Sequence, residues 1–77
     1  MTYKEVAENR FNRFKENIEY WLDSDSKWGD AEIVKILTEA CGYETALIDL
    51  KVISKAEARK LHEDLFKAIK EHNNKIA

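Results

Sequence analysis

Apolar residues recur at steps of three and four over most of this chain, which predicts helices rather than strands. The clearest case is the last third. Ala58, Leu61, Leu65, Ala68 and Ile69 form one stripe, and Ser54 precedes it with Glu57 three positions later. That pair is a capping box, in which the hydroxyl and the carboxylate each satisfy an orphan backbone N–H at the helix start. A helix over 55–72 follows, with Asn73-Asn74 ending it and Glu63 and Lys67 spaced to pair across one turn.

A second capping box, Thr2 to Glu5, starts another helix almost at the N-terminus. Its stripe is Val6 or Ala7, then Phe11, Phe14, Ile18, Trp21 and Leu22, with Glu8, Asn9, Arg13, Lys15, Glu16 and Glu19 on the other faces. The predicted span is 3–22. Residues 23–30 then bring together Asp, Ser and Gly, the residues of turns and caps, so Ser24, Ser26 and Asp30 are all candidates to cap the next helix. Ile33, Ile36, Leu37, Ala40 and Cys41 supply its apolar face. Gly42 stands where a glycine commonly terminates a helix, which predicts a helix over 31–41.

Residues 44–53 read two ways. Ile48, Leu50 and Val52 alternate as in a strand, whereas Ala46, Leu47 and Leu50 suit a short helix. No second strand candidate offers itself as a partner, so a helix over 44–50 and a tight turn at 51–53 are preferred. The expected fold is therefore an all-α bundle of three to four helices, about 3–22, 31–41, 44–50 and 55–72. The two long helices are expected to pack antiparallel, with the shorter ones closing the core.

Length changes the picture little: 77 residues make room for one core and one domain, 1–77. Two Gly and no Pro argue against an all-β design. A lone cysteine forms no internal disulfide. With no apolar run long enough to span a bilayer and no signal-peptide pattern, the expected setting is cytoplasmic, away from membranes.

Charge is more informative. The net charge of −2 hides a balance of +2 over residues 1–15, −7 over 16–50 and +3 over 51–77. The middle of the chain is an acidic belt between mildly basic ends.

Candidate chemistry is sparse. His62-Glu63-Asp64-Leu65-Phe66 opens like a zinc-peptidase helix, but Phe66 occupies the place of the second histidine. His62 and His72 lie about 80° apart around an ideal helix, so they read as exposed helix histidines and not as a chelating pair. The run from Asp23 resembles the opening of a calcium loop, yet Lys27, Trp28 and Val34 are wrong for its ligand and glycine positions. Cys41 falls on the apolar face near a helix C-terminus, where the dipole disfavours a thiolate, so it reads as buried and structural. No glycine-rich phosphate loop exists. No catalytic residue, metal ligand or cofactor is assigned, and the chain is not expected to be an enzyme.

Nucleic-acid binding is disfavoured as well. A helix-turn-helix around Gly42 would place Glu44 and Asp49 on the groove-reading element, where phosphates demand cations. Lys55, Arg59, Lys60, Lys67 and Lys70 offer a basic face on the last helix, interrupted by Glu57, Glu63 and Asp64. That face supports an alternative reading as a small DNA-binding regulator. Complementary basic ends and acidic middle support another, a self-associating structural subunit.

The leading expectation is a protein-interaction module. Tyr20, Trp21 and Trp28 cluster around the acidic loop, and aromatics flanked by charge commonly anchor interfaces. The competing reading, given more weight for the two tryptophans, is that both rings plug the open end of the core. The candidate partner-binding residues are Glu16, Glu19, Tyr20, Asp23, Asp25, Trp28 and Asp30, with a basic protein surface as their complement. A nucleic-acid-handling protein is one source of such a surface. An inhibitor or modulator carried by a phage or mobile element would match this description.

Overall fold

The computed structural model describes residues 2–24 and 26–76, with side chains through His72. Three helices fill it: α1 Tyr3–Asp23, α2 Gly29–Asp49 and α3 Lys55–Ile76. The all-α bundle read from periodicity is what the chain forms, with no strand among the described residues.

Both capping boxes are present. Thr2 Oγ1 accepts from the Glu5 N–H at 3.1 Å, and Glu5 Oε1 accepts from the Thr2 N–H at 3.2 Å. Ser54 and Glu57 repeat the exchange at 3.1 Å in each direction. Each cap satisfies donors that the helix geometry leaves orphaned.

The middle of the chain departs from expectation. The helix placed at 31–41 and the one placed at 44–50 are one helix of 21 residues, and Gly42 lies inside it. Neither glycine of the chain has a positive φ. A glycine ends a helix only when its backbone turns left-handed and its N–H closes on the last carbonyls, and Gly42 does neither. The left-handed position is Lys51, at φ 59°. Its N–H donates to Ile48 O at 3.0 Å, and the Val52 N–H donates to Leu47 O at 2.9 Å. That is a Schellman motif with lysine in the place glycine usually takes.

Continuity of α2 reverses the expected packing. Three long helices joined by short connections run up, down and up, so α3 lies parallel to α1 rather than antiparallel. Lys4 pairs with Glu57 where both helices start, and Asp23 approaches His72 where both end. Tyr43, late in α2, packs its ring against Phe11 and Phe14 of α1, with centroids 6.0 and 6.2 Å apart. α2 is thus antiparallel to both neighbours.

The core joins all three helices through Ala7, Phe11, Phe14 and Ile18, Ile36, Ala40 and Leu47, and Ala58 and Leu65, with Ile53 sealing the turn between α2 and α3. Phe11 and Phe14 meet edge to face at 5.6 Å, a favoured arrangement of aromatic quadrupoles. Ala7, not Val6, faces inward. Cys41 is exposed, contrary to its expected burial. Ala40 holds the inward position, and the next residue is rotated about 100° away around the helix. Lys67 also pairs differently from expectation: its neighbour is Glu71, at 4.0 Å, and the contact is solvent-exposed and of little energetic consequence.

Candidate functional site

The residues proposed for partner binding converge on one end of the bundle, where α1 ends, α2 begins and α3 ends. At about 100° per residue, Glu16, Glu19, Tyr20 and Asp23 fall within one outward sector of α1, opposite Ala7, Phe11, Phe14 and Ile18. All four are exposed, and so are Trp28 and Asp30 at the start of α2. Asp25 lies outside the described residues.

The loop between α1 and α2 uses its polar groups on itself. Ser24 Oγ accepts from the Ser26 N–H at 3.1 Å, and Ser26 Oγ accepts from the Trp28 N–H at 3.2 Å. Neither serine caps α2, and neither does Asp30; α2 has no side-chain cap, and Trp28 occupies the cap position. These two serine turns hold Trp28 outward, 61% exposed.

The two tryptophans therefore divide the roles that the sequence leaves open. Trp21 is half-buried and packs on the core, with Tyr20 edge-on at 5.2 Å. Trp28 does not plug the bundle. It carries the Lys27 ammonium 5.3 Å from its ring centroid, and Tyr20 is 66% exposed. Lys27 and Trp28 are adjacent in sequence, but their stacking became visible only in three dimensions.

Electrostatics separates structural carboxylates from the others. Asp30 and Glu32 sit in the first turn of α2, where the positive end of the helix dipole favours them. Asp23 sits at the C-terminus of α1, whose last turn has no basic residue. A carboxylate there meets the negative end of the dipole and is disfavoured by about 0.3–1 kcal/mol. Among the described residues its ion-pair neighbour is His72, whose Nδ1 stands 3.6 Å from Asp23 Oδ1. A hollow of 320 Å³ lies beneath the loop, lined by Trp21, Leu22, Ser26, Gly29, Ile33 and His72.

Both histidines differ from the expected exposed state. His62 is half-buried between α2 and α3, with Nδ1 3.1 Å from Glu44 Oε2 and its ring against Phe66 at 4.7 Å. His72 is half-buried as well. Among the described residues, no three His, Cys, Asp or Glu side chains converge closely enough to hold a metal ion. No described helix is long and apolar enough to cross a membrane. On α3, Arg59, Lys60, Lys67 and Lys70 spread over a sector shared with Glu63, Asp64 and Glu71, so the basic groups are interleaved with carboxylates.

In comparison with known proteins, no family model matches the chain, and no curated protein or solved structure matches it either.

Proposed function

We propose that this protein is a small cytoplasmic interaction module that binds and modulates a larger protein through the acidic and aromatic end of its bundle. The observation that carries the reading is the exposure of Tyr20 and Trp28 beside Glu16, Glu19, Asp23 and Asp30. Two large rings left mostly in water at one end forgo much of the burial energy that aromatic side chains gain in a core, and Trp28 is held there by the loop's own hydrogen bonds. Asp23 adds charge at a helix end that disfavours it. Neither feature contributes to the core, and both suit an interface with aromatic anchors and a charged rim.

Complementarity assigns the partner a basic surface. A protein that handles nucleic acid presents such a surface, and an inhibitor encoded by a phage or mobile element is one setting for the pair. The test is capture of the partner by tagged protein from lysate of its source, with and without nuclease. A Trp28→Ala, Asp23→Lys double variant serves as the control surface. The reading requires one nuclease-resistant protein whose affinity falls at least about tenfold in the variant, the scale of an interface hot spot. Undiminished capture by the variant sinks it. Loss of binding on reversing Arg59 and Lys60 instead would favour nucleic-acid binding by α3.

A further inference from the structure

The outward face of α2 is unlike those of α1 and α3. It runs through Ala31, Val34, Lys35, Thr38, Cys41, Gly42, Thr45, Ala46 and Asp49, with Lys35 and Asp49 nearest its centre line and Glu39 about 60° to one side of Gly42. Val34 is 62% exposed, and Leu50, at the C-cap, is 75% exposed. Lys35 and Asp49 are both exposed and make no ion pair with another described residue. Gly42 lies midway along this face, and a Cβ added there would meet nothing within 4 Å. A glycine inside a helix costs roughly 0.5–1 kcal/mol relative to alanine, and no packing within the chain calls for it.

These positions are arranged symmetrically about Gly42. Lys35 and Asp49 stand seven residues to either side of it, and Val34 and Leu50 stand eight to either side. In an antiparallel pair of helices with Gly42 on the two-fold axis, Lys35 and Asp49 lie only about 20° to either side of the Gly42 direction, so Lys35 of each copy faces Asp49 of the other, while Val34 and Leu50 lie at the edges of the seam. Two ion pairs then form from one self-complementary patch. The heptad spacing of Lys35, Gly42 and Asp49 keeps them on one seam at a shallow crossing angle. The missing Cβ lets the backbones approach at the centre, and antiparallel α2 dipoles align favourably.

We infer that α2 is a homodimer interface, closing on a second copy of this chain through an antiparallel contact centred on Gly42. The contact is isologous and stops at two, unlike a head-to-tail union of basic ends with the acidic middle, which would extend as a filament. One helix face is a small interface, so the dimer is weak, on the order of 10–100 μM. The acidic ends lie at opposite poles of the dimer and stay open.

The test is sedimentation equilibrium of the full chain from low micromolar to millimolar concentration, with the charges reversed singly and together. Lys35→Asp sets two carboxylates against each other, and Asp49→Lys sets two ammonium groups against each other. Each should weaken dimerisation at least about tenfold. The double reversal should restore it to within about threefold, because only the antiparallel register makes these two residues partners across the axis. Both sites are exposed, and circular dichroism verifies that each variant folds. A monomeric wild type throughout overturns the proposal, as does association indifferent to the single reversals or unrestored by the double. A Cys41→Ser, Gly42→Cys variant gives an independent readout. Facing Cα atoms at the axis would lie about 4–5 Å apart, within disulfide reach, so mild oxidation should yield a covalent dimer; failure to cross-link counts against the register.

Discussion

Glu57 divides its carboxylate between two helices. Oε1 accepts from the Ser54 N–H at the start of α3, and Oε2 accepts from the Lys4 ammonium in the first turns of α1. The hydrogen bond from Lys4, reinforced by the bond from the Ser54 backbone, lowers the Glu57 pKa from its ordinary 4.5 to about 2. The same hydrogen bond to Glu57, with its coulombic attraction, raises Lys4 above its ordinary 10.5. One residue thereby caps α3 and ties it to the parallel α1.

An acid limb follows. A depressed carboxylate stabilises the fold fully above its unfolded pKa and loses that contribution as pH falls through the folded value. For Glu57 the window runs from about 4.5 down to about 2. Lys4 contributes in the opposite direction, stabilising below 10.5 and losing that contribution as pH rises above its raised folded value. Lys4→Met should move the Glu57 titration back towards its ordinary value and flatten part of the acid limb. Carbon-13 NMR titration of the Glu57 carboxyl, beside urea midpoints across the same range, measures both. A Glu57 that titrates near 4.5 in the wild type would remove the basis for this prediction.

Lys51 holds a left-handed conformation that costs an L-residue with a Cβ about 1–2 kcal/mol. Lys51→Gly removes that cost and gives back part of the gain in unfolded-chain entropy. The variant should be more stable by about 0.5–1 kcal/mol, read as a higher urea midpoint at unchanged slope. A lower midpoint would mean that the lysine side chain has a stabilising role.

The two glycines should respond to alanine with opposite signs. At Gly42 the new methyl enters open space, so Gly42→Ala should stabilise the monomer by about 0.5–1 kcal/mol. At Gly29 the methyl would stand 3.2 Å from the Trp21 carbonyl oxygen. The α1–α2 connection must shift to admit it, and Gly29→Ala should destabilise by about 1 kcal/mol. Thermal melts at low micromolar concentration compare the two free of self-association.

Core and surface aromatics should separate just as cleanly. Ile18 and Leu65 are almost wholly buried, and Ile18→Ala or Leu65→Ala should cost about 2–5 kcal/mol through lost transfer energy and the cavity left behind. Trp28→Ala, at an exposed site, should stay within about 0.5 kcal/mol of wild type. A large loss at Trp28 in urea denaturation would show that the ring supports the fold and would weaken its assignment to an interface.

The sequence alone determined whatever depends on neighbours along the chain. Thr2 with Glu5 and Ser54 with Glu57 placed two helix starts to the residue, because a capping box is closed within one turn. The α1 and α3 stripes named the core residues Phe11, Phe14, Ile18, Ala58, Leu65 and Ala68, because a helix buries one sector at a constant period. The charge pattern marked Glu16, Glu19, Asp23 and Asp30 as one acidic region, and helix phase put Tyr20 outside. Tertiary structure decided what local signals leave open. Gly42 carries the composition of a stop, but stopping requires a reversed φ and a carbonyl to bond, and the packing of Tyr43 and Leu47 keeps α2 going until Lys51 supplies both. That continuity turned α3 parallel to α1, and the docking of Ala40 into the core left Cys41, about 100° round the helix, in solvent. Local signals favoured packing both tryptophans at the open end of the core; the docked bundle keeps Trp21 there and leaves Trp28 61% exposed.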